Sequence, residues 1–439
     1  MNHHYREHLS SFFYSEARLQ YRNLELIIEN KDLQEALQVE DIEKLPLQDD
    51  QAIAQSYSGM QFGHFTTLGD GRAILLGEKE VEGKLYDIVL KGSGRTPYSR
   101  GGDGKASLSP MLREYLISEA MHYLGVSTSR SLAVFKTGEE LYRQGIEEGA
   151  LLVRVMTSHI RVGTFQHAYY RGGEEKLEEI LHYTKERLYP ETSTLDFLEQ
   201  VMDRQAALIA KWVSLGFIHG VMNTDNMSIS GESFDYGPCA FIDEYDPGAV
   251  FSSIDTQGRY AYWNQPSMGL WNLTRLAETL LDGLKNEGVS QKQVEELLQD
   301  YERRFKAYYR EEMALRLGIC DVTESDDALI DTMLSLLTEL KMDYHNFFLE
   351  LEKDQVEEDA FQEWIAVWKR RKNAPMKNPQ LVPRNHLVDR ALKEAEAGDL
   401  TFFNALLERV RRPYDAVEAM YQEPMPETMK KRFRTYCGT

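Results

Sequence analysis

The sequence is short of cysteine, of long apolar runs and of positive charge, and each shortage excludes something. Cys239, Cys320 and Cys437 are the only cysteines in 439 residues, and none is spaced as CxxC. Neither a structural zinc site nor a disulfide framework is therefore expected, and a reducing compartment fits. No stretch approaches the roughly 20 apolar residues that span a bilayer. The polar opening MNHHYREHLSSFFY also lacks the apolar core of a signal peptide. The expectation is a cytoplasmic protein with no membrane partner. Lys and Arg number 50 against 71 Asp and Glu, a net charge of −21. That balance argues against a nucleic-acid partner, which needs a basic surface, but leaves nucleotide binding open because a few local cations suffice. What the chain does have is length and 42% apolar residues, enough for two or three lobes around ordinary cores.

Three regions follow one another: mixed strand and helix to about residue 200, a helix followed by a hairpin and loop to about 270, and a mostly helical remainder. Ala73–Gly77, Tyr86–Leu90 and Leu151–Val155 read as short strands punctuated by glycine. Pro110–Leu124 reads as a helix with Leu112, Leu116 and Ala120 on one face and Gly125 as its stop. From Leu270 to about Lys372 the pattern is helical and charged. Pro375, Pro379 and Pro383 then mark Lys372–Pro383 as a linker or wrapping loop.

The chemistry concentrates between His219 and Gly237. After a helix of about Val201–Leu215 comes a polar cluster containing Asp225-Asn226, then a turn at Gly231, then Asp235-Tyr-Gly237. Asn226 and Asp235 are expected at the near ends of a short hairpin, aiming two oxygen ligands at one point. Kinase-like enzymes hold Mg²⁺ on ATP phosphates in this way. Either string alone is usually an ordinary turn; the combination with His219-Gly220 and the upstream features favours the functional reading. Gly69-Asp-Gly-Arg72 offers a glycine-rich turn before a strand, and Lys91 ends the next strand. Glu114 lies in the following helix, where it could hold Lys91, with Glu119 a competitor on spacing. Arg154 and Arg161 offer planar cations for phosphate oxygens, or surface pairing in an acid-rich protein. The glycine-rich loop Gly92–Gly104 could bring backbone amides to an anion, or be a flexible surface loop. One absence matters most: five residues before Asn226, where hydroxyl-phosphorylating kinases carry a catalytic Asp, stands Val221.

With these residues in view the sequence resembles the selenoprotein O family, the YdiU-type proteins. The matching strings include Tyr57-Ser-Gly59, Leu68–Glu78, Thr96–Arg100, Ser118–Gly125, His219–Ser228, Asp235–Pro238, Gly258-Arg-Tyr260 and Arg384-Asn-His386. The resemblance implies an α+β fold with a bilobal, protein-kinase-like (pseudokinase) core and an additional C-terminal helical region. The expected division is 1–50 as an N-terminal extension, 51–165 as a nucleotide-binding N-lobe, 166–372 as a C-lobe, and 373–439 as a wrapping segment and tail. It implies an enzyme that binds ATP in an inverted orientation and transfers AMP to Ser, Thr or Tyr hydroxyls of protein substrates. Uridylyl transfer with Mn²⁺ is a variant of the same chemistry. Carried over by motif, Gly69, Gly71, Arg72, Lys91, Asp103, Gly104, Arg154, Arg161 and Asp235 bind the nucleotide, and Glu114 pairs with Lys91. Asn226 and Asp235 hold Mg²⁺ or Mn²⁺, and Asp225 activates the acceptor.

The chain departs from the family pattern in its cysteines. Cys437 matches a C-terminal family cysteine in place but not in its neighbours, and Ala249–Ser253 lacks the second cysteine of bacterial relatives. The redox lock proposed for those relatives is expected to be absent or altered. Two other functions compete: a phosphotransferase of kinase fold, disfavoured by Val221, and an inactive nucleotide-binding scaffold, disfavoured by retention of Lys91, Asn226 and Asp235.

Overall fold

The computed structural model describes residues 1–143 and 145–430. Its centre is an antiparallel sheet. In chain order the strands are β1 (Tyr14–Glu16), β2 (Glu25–Glu29), β3 (Ile53–Gln55), β4 (Ser58–Gln61), β5 (His64–Thr67), β6 (Ala73–Val81), β7 (Lys84–Lys91), β8 (Ala106–Ser107), β9 (Arg130–Tyr142) and β10 (Ile146–Met156). The main sheet runs β1-β3-β6-β7-β10-β9-β2, with β8 against β10, while β4 and β5 form a separate hairpin. Residues 1–50, read from sequence as an extension, thus supply the strands at both edges of the main sheet.

The expected strand Ala73–Gly77 is longer than the sequence suggested. Gly77 does not end it but sits at a register shift. Its φ of 146° and the backbone oxygen of Asn2, 2.3 Å from where a Cβ would lie, both require glycine. The real turn comes at Glu82 and Gly83, whose positive φ values of 51° and 76° suit the twist of a two-residue hairpin.

Alternation along the strands builds two cores. Leu75, Val89, Val134 and Leu152 face the helix Leu108–Tyr123, meeting Leu112, Tyr115 and Leu116. Ile74, Leu76, Ile88, Leu90, Leu151 and Val153 face the other way, onto Leu33, Leu37, Ile42 and Leu45. The helix begins two residues before Pro110, whose missing N–H costs nothing in a first turn. It stops ahead of Gly125, at φ 81°.

The remainder is mostly helical, apart from the short antiparallel pair Phe217–Ile218 and Ala240–Phe241. Thr194–Ser214, opened by a Ser193/Asp196 capping box, packs against Gln265–Asn286 and Tyr301–Leu317. Lys372–Pro383 has no regular structure and wraps this body: the amides of Asn373 and Ala374 donate to the Gly318 carbonyl, and Asn378 bonds Arg316. Asn385–Glu396 and Thr401–Val410 then return to pack on Leu108–Tyr123. No described helix is long and apolar enough to cross a membrane.

Candidate active site

Lys91 ends β7 opposite Leu152 of β10, so Arg154, two residues along β10, shares its face of the sheet. The helix Leu108–Tyr123 covers that face and lowers Glu114 between the two cations. Lys91 Nζ lies 2.6 Å from Glu114 Oε2, and Arg154 Nε donates to Glu114 Oε1 at 2.6 Å. Asp235 completes the cluster: its Oδ1 pairs with Lys91 and accepts from Arg154 Nη2 at 3.2 Å. Glu119, the competing candidate, instead takes both nitrogens of an Arg130 fork at 2.6 and 2.8 Å.

The charges explain how three buried ionised groups share a space with Asp235, whose side chain is 34% exposed. Burial by itself raises the Glu114 carboxyl, but the Arg154 guanidinium and then Lys91 carry it below its ordinary value. Asp235 is opposed by burial in the same way, and Lys91, Arg154 and Arg72 hold it well below the usual carboxylate range. Arg154 is pushed down by burial and raised overall by the two carboxylates. Asp235 also adopts φ 65°, a left-handed conformation that a non-glycine residue holds only when its surroundings enforce it. Those surroundings include Gly237, whose amide donates to the Asp235 carbonyl, and the buried His219, whose Nε2 donates to the Phe234 carbonyl at 2.9 Å.

The expected hairpin between Asn226 and Asp235 does not form. Ser228 bridges to Arg161 and Ser233 to Thr128, so the two arms pair outward. Their side chains drive this: Ser228 Oγ bonds the Ser158 and Ile160 carbonyls, and Glu232 binds the amide of Thr157. Asn226 ends a short 3-10 turn, Thr224–Asn226, and its Nδ2 donates to the Val221 carbonyl at 3.0 Å. Its Oδ1 has no hydrogen bond among the described residues, and Lys91 and Arg154 both engage Asp235 through Oδ1. The two remaining oxygens are hard donors of the kind Mg²⁺ or Mn²⁺ prefers. No group of three or more His, Cys, Asp or Glu suited to a metal occurs among the described residues. A two-oxygen protein set would thus rely on phosphate and water for the rest.

Asp225 is 8% exposed, and its Oδ1 is buried without a hydrogen-bond partner. Burial pushes its carboxyl up to about 6, against the pull of its own backbone amide, of Arg161 and of a hydrogen bond from the Gln61 side chain. The hairpin β4–β5 lies directly over it. Met60 N donates to Thr224 Oγ1 at 2.7 Å and Phe62 N to Asn223 Oδ1 at 3.0 Å.

Arg161 is fixed beside this turn. Its guanidinium stacks 4.0 Å over Tyr57, donates to the His159 and Asp225 carbonyls, and lies 3.9 Å from Asp70. Phe234 stands between the two arginines, 5.5 Å from Arg154 and 5.2 Å from Arg161. The Gly69–Arg72 turn is packed under Tyr98: a Cβ on Gly69 would meet its ring at 2.3 Å. The Arg72 carbonyl accepts from Gly92 N at 2.7 Å, joining this turn to the glycine-rich loop. Within that loop the Gly104 carbonyl accepts from Gly94 N. Asp103 is engaged by Arg143, twice at 2.9 Å, and by Lys105 N; no bond joins it to the Lys91 cluster.

Nothing in the sequence marks Gly59, Tyr57 or Phe234 as site residues. Tyr57-Ser-Gly59 stood out only as a matching string, and nothing in its composition signals contact with residue 225. Cys239 is buried beside Arg113, Cys320 is exposed, and both are free; Cys437 lies outside the described residues.

A mixed α/β frame with an antiparallel sheet, a largely buried Lys-Glu-Arg-Asp cluster and an adjacent buried carboxylate with one free oxygen defines the class of site expected of a group-transfer enzyme acting on phosphorylated donors. The chain belongs to the SelO family: the family model described as protein adenylyltransferase SelO matches residues 2–373. It is 49% identical over 413 residues to the protein nucleotidyltransferase YdiU of Clostridium perfringens (strain SM101 / Type A), covering 88% of this chain and 84% of that protein. The proteins of the same name from Brevibacillus brevis (strain 47) and Bacillus anthracis (strain CDC 684) are 49% and 48% identical over 414 and 417 residues. They cover 88% of this chain, and 84% and 85% of their own lengths.

Proposed function

We propose that the chain is a protein adenylyltransferase that transfers AMP from ATP to Ser, Thr or Tyr hydroxyls of other proteins. The reading assumes a protein-kinase-like frame, with 51–165 as the nucleotide lobe and 166–372 as the catalytic lobe. One observation carries it: a buried valine, Val221, stands where a phosphotransferase needs its carboxylate, while four residues on Asp225 is buried with its Oδ1 free of any hydrogen bond among the described residues. Family membership and the names of the relatives support it.

In this reading Lys91, steadied by Glu114, works with Arg154 and Arg161 to hold the phosphates. Gly69, Gly71, Arg72, Asp103 and Gly104 complete the nucleotide's surroundings. Asp225 takes the proton of the acceptor hydroxyl. The hydroxyl oxygen then attacks the α-phosphorus, the bond from that phosphorus to the bridging oxygen breaks, and pyrophosphate leaves with the electron pair. Asn226 and Asp235 would hold Mg²⁺ or Mn²⁺, which when bound neutralises phosphate charge. Free Cys239 and Cys320 support a reducing, cytoplasmic setting.

Mass spectrometry of a lysate incubated with the purified protein, ATP and UTP tests this. Proteins gaining AMP are expected. Gain of UMP alone would move the donor to UTP, and no gain of either would contradict the reading.

A further inference from the structure

The hairpin over Asp225 borders a surface that the nucleotide chemistry does not use. Arg259 and Arg275 clasp the Trp271 ring, at 4.7 and 5.2 Å, and Arg171 lies 5.6 Å over Phe65 of β5. Phe65 in turn meets Tyr170 edge-on at 4.8 Å, and Tyr170 is 46% exposed. Tyr170 belongs to a π-helical segment, Ala168–Gly172, a rare conformation that recurs at functional sites. Glu278 pairs with Arg275 Nη2 at 2.6 Å; around that acid the patch gathers three arginines and three aromatic rings on a chain of net charge −21.

Arg259 shows what the patch lacks. Its Nε and Nη2 are buried and have no hydrogen-bond partner among the described residues, and neither does Arg275 Nε. Nε and Nη2 form the side-on fork of a guanidinium, the edge that matches the two oxygens of one carboxylate. The nearest acid in sequence is already committed: Asp255 accepts the backbone amides of Arg259 and Tyr260 at 2.9 and 2.7 Å. Trp271 and Tyr260 lie against the guanidinium, at 4.7 and 5.8 Å, and Gly63 at the exposed tip of β4–β5 approaches it too, 3.9 Å from where its Cβ would be. The next residue connects this point to the chemistry, because Tyr260 OH donates to Asn223 Oδ1 at 2.5 Å, on the turn that carries Asp225.

We propose that Arg259, Arg275 and Arg171, with Trp271, Phe65 and Tyr170, form the surface that docks the acceptor protein, and that Arg259 takes a carboxylate of an acidic segment flanking the modified hydroxyl. The proposal rests on the reading of the chain as an enzyme acting on proteins. Docking displaces the Gly63 tip and seats the acceptor beside Asp225. It selects hydroxyls in acidic surroundings, which the rest of this surface repels.

The test is fluorescence anisotropy with a fluorescein-labelled peptide of alternating glutamate and serine, alongside its lysine counterpart. The glutamate peptide is expected to bind the wild-type protein better than the lysine one. Arg259→Gln should weaken it by about tenfold or more, the loss expected for one charge-assisted fork. Arg275→Gln should weaken it as well, while Arg303→Gln on a remote helix and ATP affinity in all variants should show no change. Absence of glutamate-peptide binding, preference for the lysine peptide, or equal binding by Arg259→Gln would overturn the proposal. Binding lost on Arg259→Gln in a protein that transfers no nucleotide would uphold the surface and contradict only the enzymatic reading.

Discussion

Gly59 leaves the space that the carboxylate of Asp225 occupies: a Cβ on Gly59 would lie 2.1 Å from Asp225 Oδ1 and 2.9 Å from Asp225 Cβ. A whole side chain, not a flexible tip, stands in the way, so even a methyl group must displace Asp225 or lift the hairpin. Gly59→Ala is expected to lower kcat by about a hundredfold, as a 1 Å misplacement of a reacting group does. ATP affinity measured by calorimetry should stay unchanged, because the atoms a Gly59 Cβ would meet first all belong to Asp225.

The buried setting of Asp225 predicts a pH dependence. A base must be ionised to accept a proton, and this carboxyl is pushed up to about 6. The kcat/KM of the wild-type protein should therefore be level above that value and fall about tenfold per unit below it. Asp225→Asn should leave residual transfer without this acid limb. A wild-type profile flat down to pH of about 4.5 would contradict the assignment of Asp225.

Glu114 predicts a stability effect with a definite sign. Its carboxyl and that of Asp235 are both depressed in the folded state. Their contribution is fully present above the unfolded values and is lost as pH falls through the folded ones. Glu114→Gln leaves Lys91 and Arg154 sharing one carboxylate and should cost about 3 kcal/mol near neutral pH. The gap from wild type should narrow in urea titrations as pH falls below 4.5, the ordinary glutamate value, because the unfolded chain then takes up a proton that the folded carboxyl still resists.

Phe234 spaces Arg154 from Arg161. Phe234→Leu keeps the apolar volume but removes the π face on which both guanidinium groups rest, a contact worth roughly 0.5–2 kcal/mol per cation. ATP affinity should drop about tenfold while that of adenosine, which has no phosphates, stays the same. Equal losses for both ligands would indicate a merely structural role.

Much of this frame was legible in the sequence because local rules decide it. Strands with β-branched alternation, a helix closed by Gly125 and proline-marked wrapping at Lys372–Pro383 all follow from short-range chemistry. Gly77 misled, because a glycine that ends a strand and one that admits another backbone look alike until Asn2 is seen beside it. The hairpin expected between Asn226 and Asp235 failed for a related reason: Ser228 and Glu232 prefer partners on the Ser158–Thr157 segment, about 70 residues away. The β4–β5 cover on Asp225 and the Phe234 wedge are long-range contacts, and no spacing rule encodes them.

Adenylyl transfer differs from phosphoryl transfer in that the α-phosphorus, not the γ-phosphorus, is attacked. The direct measurement is incubation of the purified protein and a lysate with ATP labelled at either position, followed by denaturing electrophoresis. Label retained on protein from the α position, absent from the γ position and lost in Asp235→Ala, is the predicted result. Retention of the γ label without the α label would contradict it.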